Sequence, residues 1–189
     1  KVRIHGSKNA ALPLMAAALL TDEPVVLRDI PDLSDIRNMI KLLGELGCTV
    51  DVKTEDGMRV LRIQSTDPGK CTAHYDIVKT MRAGICVLGP LVAARGKARV
   101  SMPGGCSIGD RPVDLHQRGL KALGAKLSLD EGYIVAETPG GGEGRLRGCR
   151  VFLGGPFGST VLGTANVMCA AALADGTTVI ECAACEPEV

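Results

Sequence analysis

The chain repeats itself, and the repeat limits the possible folds more than any other feature. Three segments read as an alanine-rich helix, a tight turn and a short strand: residues 10–20 into 24–27, 86–94 into 97–102, and 164–174 into 177–181. Aligning the turns superposes Glu23, Gly96 and Gly176 at offsets of 73 and 80 residues. A second match, offset by 77, joins Leu43-Gly44-Glu45-Leu46-Gly47-Cys48 to Leu120-Lys121-Ala122-Leu123-Gly124-Ala125. Each copy ends a helix at a glycine C-cap and runs into a strand pair. The strand pairs turn at Asp56-Gly57 and at Asp130-Glu131-Gly132, both hairpin signals. In residues 33–46, Ile36, Met39, Ile40, Leu43 and Leu46 recur at helical spacing, a stripe that belongs to the core.

The repeating unit is therefore helix, strand, helix, strand, strand, about 75 residues long. It predicts an α/β architecture of three units, at 1–66, 67–148 and 149–189, within one domain. The glycine-rich stretch 138–148 reads as a connector, since no G-x-G-x-x-G or G-K-[ST] pattern is present. The third unit stops after Glu186-Pro187-Glu188-Val189, about 40 residues early by analogy with the others. On this reading the sequence is a fragment cut inside a repeat.

Composition excludes several functions. A net charge of +1 without runs of like charge argues against a nucleic-acid or membrane-surface binder. With 2% aromatic residues and no Trp, a base-stacking platform is not expected. The longest apolar runs, 10–20 and 83–94, are short and interrupted by proline, so neither reads as a membrane span. Of eight cysteines, Cys48, Cys86, Cys169 and Cys182 fall in apolar segments and read as small core residues. A reducing cytoplasm is the expected compartment. Cys182-Ala183-Ala184-Cys185 has C-x-x-C spacing but no second pair to complete a zinc site, so no metal is expected.

Two features carry chemistry. The stretch Pro103-Gly104-Gly105-Cys106-Ser107-Ile108-Gly109-Asp110-Arg111-Pro112-Val113 lies between a strand-like and a helix-like run. Its glycines and prolines predict a mobile loop. A thiol there, with Arg111 nearby to favour the thiolate, suits work on an anionic substrate. A buried, inert Cys106 is the alternative. The other feature is a set of cations at helix starts. Ser7 reads as an N-cap with Lys8 and Asn9 behind it, Arg82 opens the equivalent helix of the second unit, and Arg111 precedes the next. Each is either a solvated charge or, with the helix N-terminus, an anion grip, and repeated helix starts can converge on one cleft.

Three stretches together resemble the UDP-N-acetylglucosamine enolpyruvyl transferases, the MurA family. They are Ser7-Lys8-Asn9-Ala10-Ala11-Leu12-Pro13, Tyr75-Asp76-Ile77-Val78-Lys79-Thr80-Met81-Arg82, and the Cys106 loop followed by Arg111-Pro112-Val113-Asp114-Leu115-His116. Ala183-Ala184-Cys185-Glu186-Pro187-Glu188 also fits. The resemblance implies the inside-out α/β barrel of enolpyruvyl transferases and less than half of a full-length member. It further implies transfer of the enolpyruvyl group of phosphoenolpyruvate to the 3′-hydroxyl of UDP-N-acetylglucosamine, with no cofactor.

By that resemblance Lys8, Asn9 and Arg111 bind phosphoenolpyruvate. Arg82, Arg111, Pro112, Val113, Asp114 and Leu115 hold the UDP-sugar, with Ser159, Thr160 and Val161 near its phosphates. Cys106 is the general acid on a closing lid and the expected site of fosfomycin alkylation. Cys86 stands where the family often has an aromatic residue, and Thr160-Val161-Leu162-Gly163-Thr164 matches the family's Ser-Val-Gly-Ala-Thr loop only loosely. The family's catalytic aspartate and a further arginine belong to the missing C-terminal half, so this chain alone is expected to be inactive. Two alternatives stay open: the shikimate-pathway enolpyruvyl transferase, and a non-catalytic UDP-sugar-binding half or paralogue.

Overall fold

The computed structural model describes residues 4–103 and 113–189. Ser7 caps α1 (Lys8–Ala17), its Oγ accepting from the Ala10 N–H at 3.4 Å. Pro13 sits inside α1 and supplies no N–H, so the Asn9 carbonyl has no intrahelical donor. A 3₁₀ turn, Ala18–Leu20, carries the chain towards β1 (Val25–Leu27), then α2 (Ser34–Glu45), β2 (Cys48–Glu55) and β3 (Met58–Ser65). The second stretch holds β4 (Thr72–Ala73), α3 (Tyr75–Val78), a 3₁₀ helix Arg82–Val87 running into α4 (Leu88–Arg95), and β5 (Lys97–Ser101). It continues through α5 (Asp114–Ala122), β6 (Lys126–Asp130) and β7 (Tyr133–Glu137). Last come β8 (Arg150–Phe152), α6 (Val161–Ala172) and β9 (Val179–Glu181).

The strand orders reproduce the repeat. They are β1-β3-β2 and β4-β5-β7-β6, with β3 antiparallel to both its neighbours and β7 antiparallel to β5 and β6. The hairpin pairs Glu55↔Met58 and Asp130↔Tyr133 each enclose two residues. Both turns take positive φ twice, 49° and 71° at Asp56-Gly57 and 46° and 81° at Glu131-Gly132. That is the primed geometry whose twist matches the flanking strands.

One element of the unit goes beyond the sequence reading. β4 pairs in parallel with β5 and β8 with β9, each through a crossover containing a central helix. The second and third units thus begin with a strand rather than a helix. Two and three residues are too few to show period-two alternation, so pattern reading passes over them. The connector 138–148 is also packed down rather than loose. Leu146 is 2% exposed, and a Cβ at Gly96 would lie 2.0 Å from the Gly142 carbonyl oxygen.

Helices occupy the middle and sheets the outside. On α2, Ile36, Met39, Leu42 and Leu43 are fully buried and Ile40 packs partly against them. Leu61 and Ile63 of β3, and Ile134 and Ala136 of β7, face inward, while Val52 and Leu129 of the outer strands are exposed. α1 and α6 are apolar on more than one face and rich in alanine, as central helices packed from several sides must be. α6 is approached closely by its neighbours. A Cβ at Gly89 would lie 2.1 Å from the Asn166 carbonyl oxygen, and one at Gly119 would lie 2.2 Å from a Val167 methyl.

Candidate functional site

Three helices of the core end at one cavity. A cavity of about 790 Å³ is lined by Leu20, Arg95 and Leu173, at or just past the ends of the first unit's 3₁₀ turn, α4 and α6. At their other ends stand Lys8, Arg82 and Thr160, the positions singled out from sequence. Thr160 is the N-cap of α6, its Oγ1 accepting from the Gly163 N–H at 3.2 Å. The Thr164 hydroxyl donates to the Thr160 carbonyl at 2.7 Å and accepts from the Ala184 N–H at 3.1 Å. The chain after β9 is thereby tied to the same helix start.

The first of the two stretches expected to hold the nucleotide-sugar packs on the turn that leads into the second. Arg118 of α5 donates to the Gly154 carbonyl at 3.0 Å, and Leu115 packs on Gly155. Gly155 and Gly158 close a tight turn by reciprocal backbone hydrogen bonds of 2.8 and 3.1 Å, which delivers Ser159, Thr160 and Val161 to the start of α6. Val113 is buried, Leu115 half-buried, and Asp114 and Ser159 are exposed. Half-buried Arg82 lies near enough to act electrostatically on His116, one residue beyond Leu115.

Lys8 has a partner that the sequence did not suggest. Its ammonium donates to Asp35 at 2.8 Å, with side-chain exposures of 42% and 28%, tying the start of α1 to the start of α2. Asp35 lies in the first turn of α2, where the helix dipole stabilises a carboxylate. Asn9 is exposed beside it. Cys106, Arg111 and Pro112 lie outside the described residues, as does the loop predicted around them.

The cysteines divide differently from the sequence reading. Cys48 and Cys86 are buried, Cys169 is partly buried, and Cys182 is exposed at a φ of 55°. Cys182 is therefore not a core residue: β9 ends before it, and the turn that follows carries it to the surface. Burial, with Cys169 adding to it, pushes the Cys86 thiol up to about 12, and burial pushes Cys169 to about 11. Neither is a reactive thiolate near neutrality.

The profile of the EPSP synthase (3-phosphoshikimate 1-carboxyvinyltransferase) family matches residues 1–189. The chain belongs to this family. Among its relatives, the UDP-N-acetylglucosamine 1-carboxyvinyltransferase of Methylacidiphilum infernorum is 54% identical over 189 residues, covering 100% of this chain and 42% of the relative. The protein of the same name from Akkermansia muciniphila is 50% identical, also over 100% of this chain and 42% of the relative. The chain thus spans less than half the length of these relatives. The enolpyruvyl transferase NikO from Streptomyces tendae superposes with a TM-score of 0.79 at 18% identity, over 100% of this chain and 42% of that one. EPSP synthase from Acinetobacter baumannii gives 0.71 at 13% identity, over 99% and 41%. The fold is the inside-out α/β arrangement of the enolpyruvyl transferases.

Sequence reasoning missed Asp35, Arg118, Gly89 and Asn166. Asn166 left the clearest trace, as the one amide in the largely apolar run Val161–Ala172.

Proposed function

We propose that this chain supplies the first part of a UDP-N-acetylglucosamine 1-carboxyvinyltransferase. That enzyme moves the enolpyruvyl group of phosphoenolpyruvate onto the 3′-hydroxyl of UDP-N-acetylglucosamine and releases phosphate, the committed step towards peptidoglycan. The observation that carries the reading is 54% identity along the whole chain to a protein of that name, against 13% to an EPSP synthase. The packing of Leu115 on Gly155, in the turn that leads into residues 159–161, supports it.

Lys8, Asn9 and Arg111 bind phosphoenolpyruvate, whose phosphate and carboxylate need fixed cations. Arg82, Pro112, Val113, Asp114 and Leu115, with Arg111, hold the UDP-sugar, and Ser159, Thr160 and Val161 present the capped start of α6 to its phosphates. Cys106 protonates the methylene carbon as the loop closes and excludes water, and the positive character that develops at C2 is stabilised within the site. Asp35 keeps the Lys8 ammonium in place before the anion arrives. The reaction belongs in the cytoplasm and underlies cell shape and division.

Phosphate release from the two substrates tests the reading. The full-length enzyme is expected to turn over and this chain alone is not. A full-length protein that binds UDP-N-acetylglucosamine yet releases no phosphate would identify a non-catalytic binding half instead. Fosfomycin with UDP-sugar present is expected to label Cys106. Cys106→Asp keeps a proton donor and should stay active while escaping the label, whereas Cys106→Ala should lose most activity.

A further inference from the structure

Asn166 is 1% exposed in the middle of α6, and its side chain bonds three other elements. Oδ1 accepts from the Gly89 N–H of α4 at 2.5 Å. Nδ2 donates to the Ile85 carbonyl of the 3₁₀ helix at 3.0 Å and to Nδ1 of His116 on α5, also at 3.0 Å. An amide nitrogen has two hydrogens, so both are used. The last bond requires His116 Nδ1 to be the acceptor, which places the ring proton on Nε2 and leaves the imidazole neutral.

The surroundings keep it neutral. His116 is 3% exposed, and burial lowers its pKa to about 4. The Arg82 guanidinium, from the 3₁₀ helix, pushes the same way, and Asp114, on His116's own helix, opposes it. Among the described residues these are the charged groups acting on the ring.

A buried polar trio gives less stability than an apolar contact unless every member is satisfied. Its return here is geometric. His116 directly follows Leu115, Ile85 shares a short helix with Arg82, and α6 begins at the Thr160 cap. One amide therefore sets three segments of the proposed UDP-sugar site at fixed distances from each other. We infer that Asn166 is a positioning residue for the nucleotide-sugar: through a neutral His116 it registers the start of α5 and the Arg82 helix against the start of α6. This inference rests on the function proposed above.

Asn166→Asp in the full-length enzyme tests it. The carboxylate still accepts from Gly89 but can bond His116 only if Nδ1 carries a proton. The His116 titration, followed by imidazole NMR, should then rise by at least about two pH units. UDP-N-acetylglucosamine affinity, measured by calorimetry, should be flat between about pH 6 and pH 8 in the wild type and change about tenfold over that range in the variant, whose ring then gains or loses its charge within it. Wild type that binds, beside a variant with flat affinity, overturns this inference alone. Wild type that does not bind the nucleotide-sugar overturns the function and the inference together.

If N166D does not fold, two replacements of His116 decide the matter. His116→Gln retains an acceptor for Asn166 and should bind within about threefold of wild type, and His116→Leu, which has none, at least about tenfold more weakly. Equal affinities in the two overturn the positioning role.

Discussion

The starts of α1 and of α5 are held in opposite ways. At α1 a charged pair, Lys8 and Asp35, lies half in solvent, and each member has a helix start of its own. At α5 a neutral pair, His116 and Asn166, is dry and has almost no exposure. The first arrangement is cheap to rearrange, because water replaces whatever contact is lost. The second is rigid, because a buried donor left unpaired has nowhere to turn. A small anion that must enter and leave suits the exposed pair, and a large ligand that needs a preset surface suits the buried one.

The sharpest way to break this contrast is at Gly89. Gly89→Ala puts a methyl about 2.1 Å from the Asn166 carbonyl, forcing α4 and α6 apart. Denaturant unfolding should show a loss on the order of 3 kcal/mol. A loss below about 1 kcal/mol would mean that α6 is free to shift, and that the dry pair is not rigid.

Acid should act on the buried pair. His116 is held near 4 in the fold and returns to the ordinary imidazole value of 6.5 when unfolded, so the unfolded chain takes up protons first. Its contribution is intact above 6.5 and is lost as the pH falls towards 4, by roughly 3 kcal/mol in total. Unfolding measured across that window should lose this component in His116→Gln. An unchanged slope would place the acid sensitivity elsewhere.

Lys8→Ala in the full-length enzyme should weaken phosphoenolpyruvate binding by about 1.5–3 kcal/mol and leave UDP-sugar affinity nearly unchanged. Equal losses for both substrates would erase the division between the two helix starts. The smallest effect is expected from Asp35→Asn. Removing an exposed partner should cost less than about 1 kcal/mol of stability, and added salt should shrink the difference further.

Much of this architecture was legible because it repeats at short range. The Asp56-Gly57 and Glu131-Gly132 turns, the glycines after α2 and α5, and the Ile36–Leu46 stripe are each decided by neighbours along the chain. What stayed hidden is either too short or too distant in sequence. β4 and β8 have two and three residues and are strands only because β5 and β9 lie beside them. Asn166 meets Gly89 and Ile85 across 77 and 81 residues, a separation no local pattern reports. Cys182 looked like core because its neighbours are apolar, and a positive φ at that position turns it outward. The Cys106 loop rests on its residue pattern alone.

The parallel pairing of β8 with β9 has a consequence in time. A two-residue turn brings the partners of each hairpin together with little loss of chain entropy, so β2–β3 and β6–β7 can zip within microseconds. β8 and β9 can meet only after all of α6 and its flanking loops have been laid across the other helices. The third sheet should therefore form last and open first. In native-state hydrogen exchange its amides should lose protection before those of either hairpin, so that the start of α6, proposed to hold the sugar's phosphates, borders the least cooperative part of the fold.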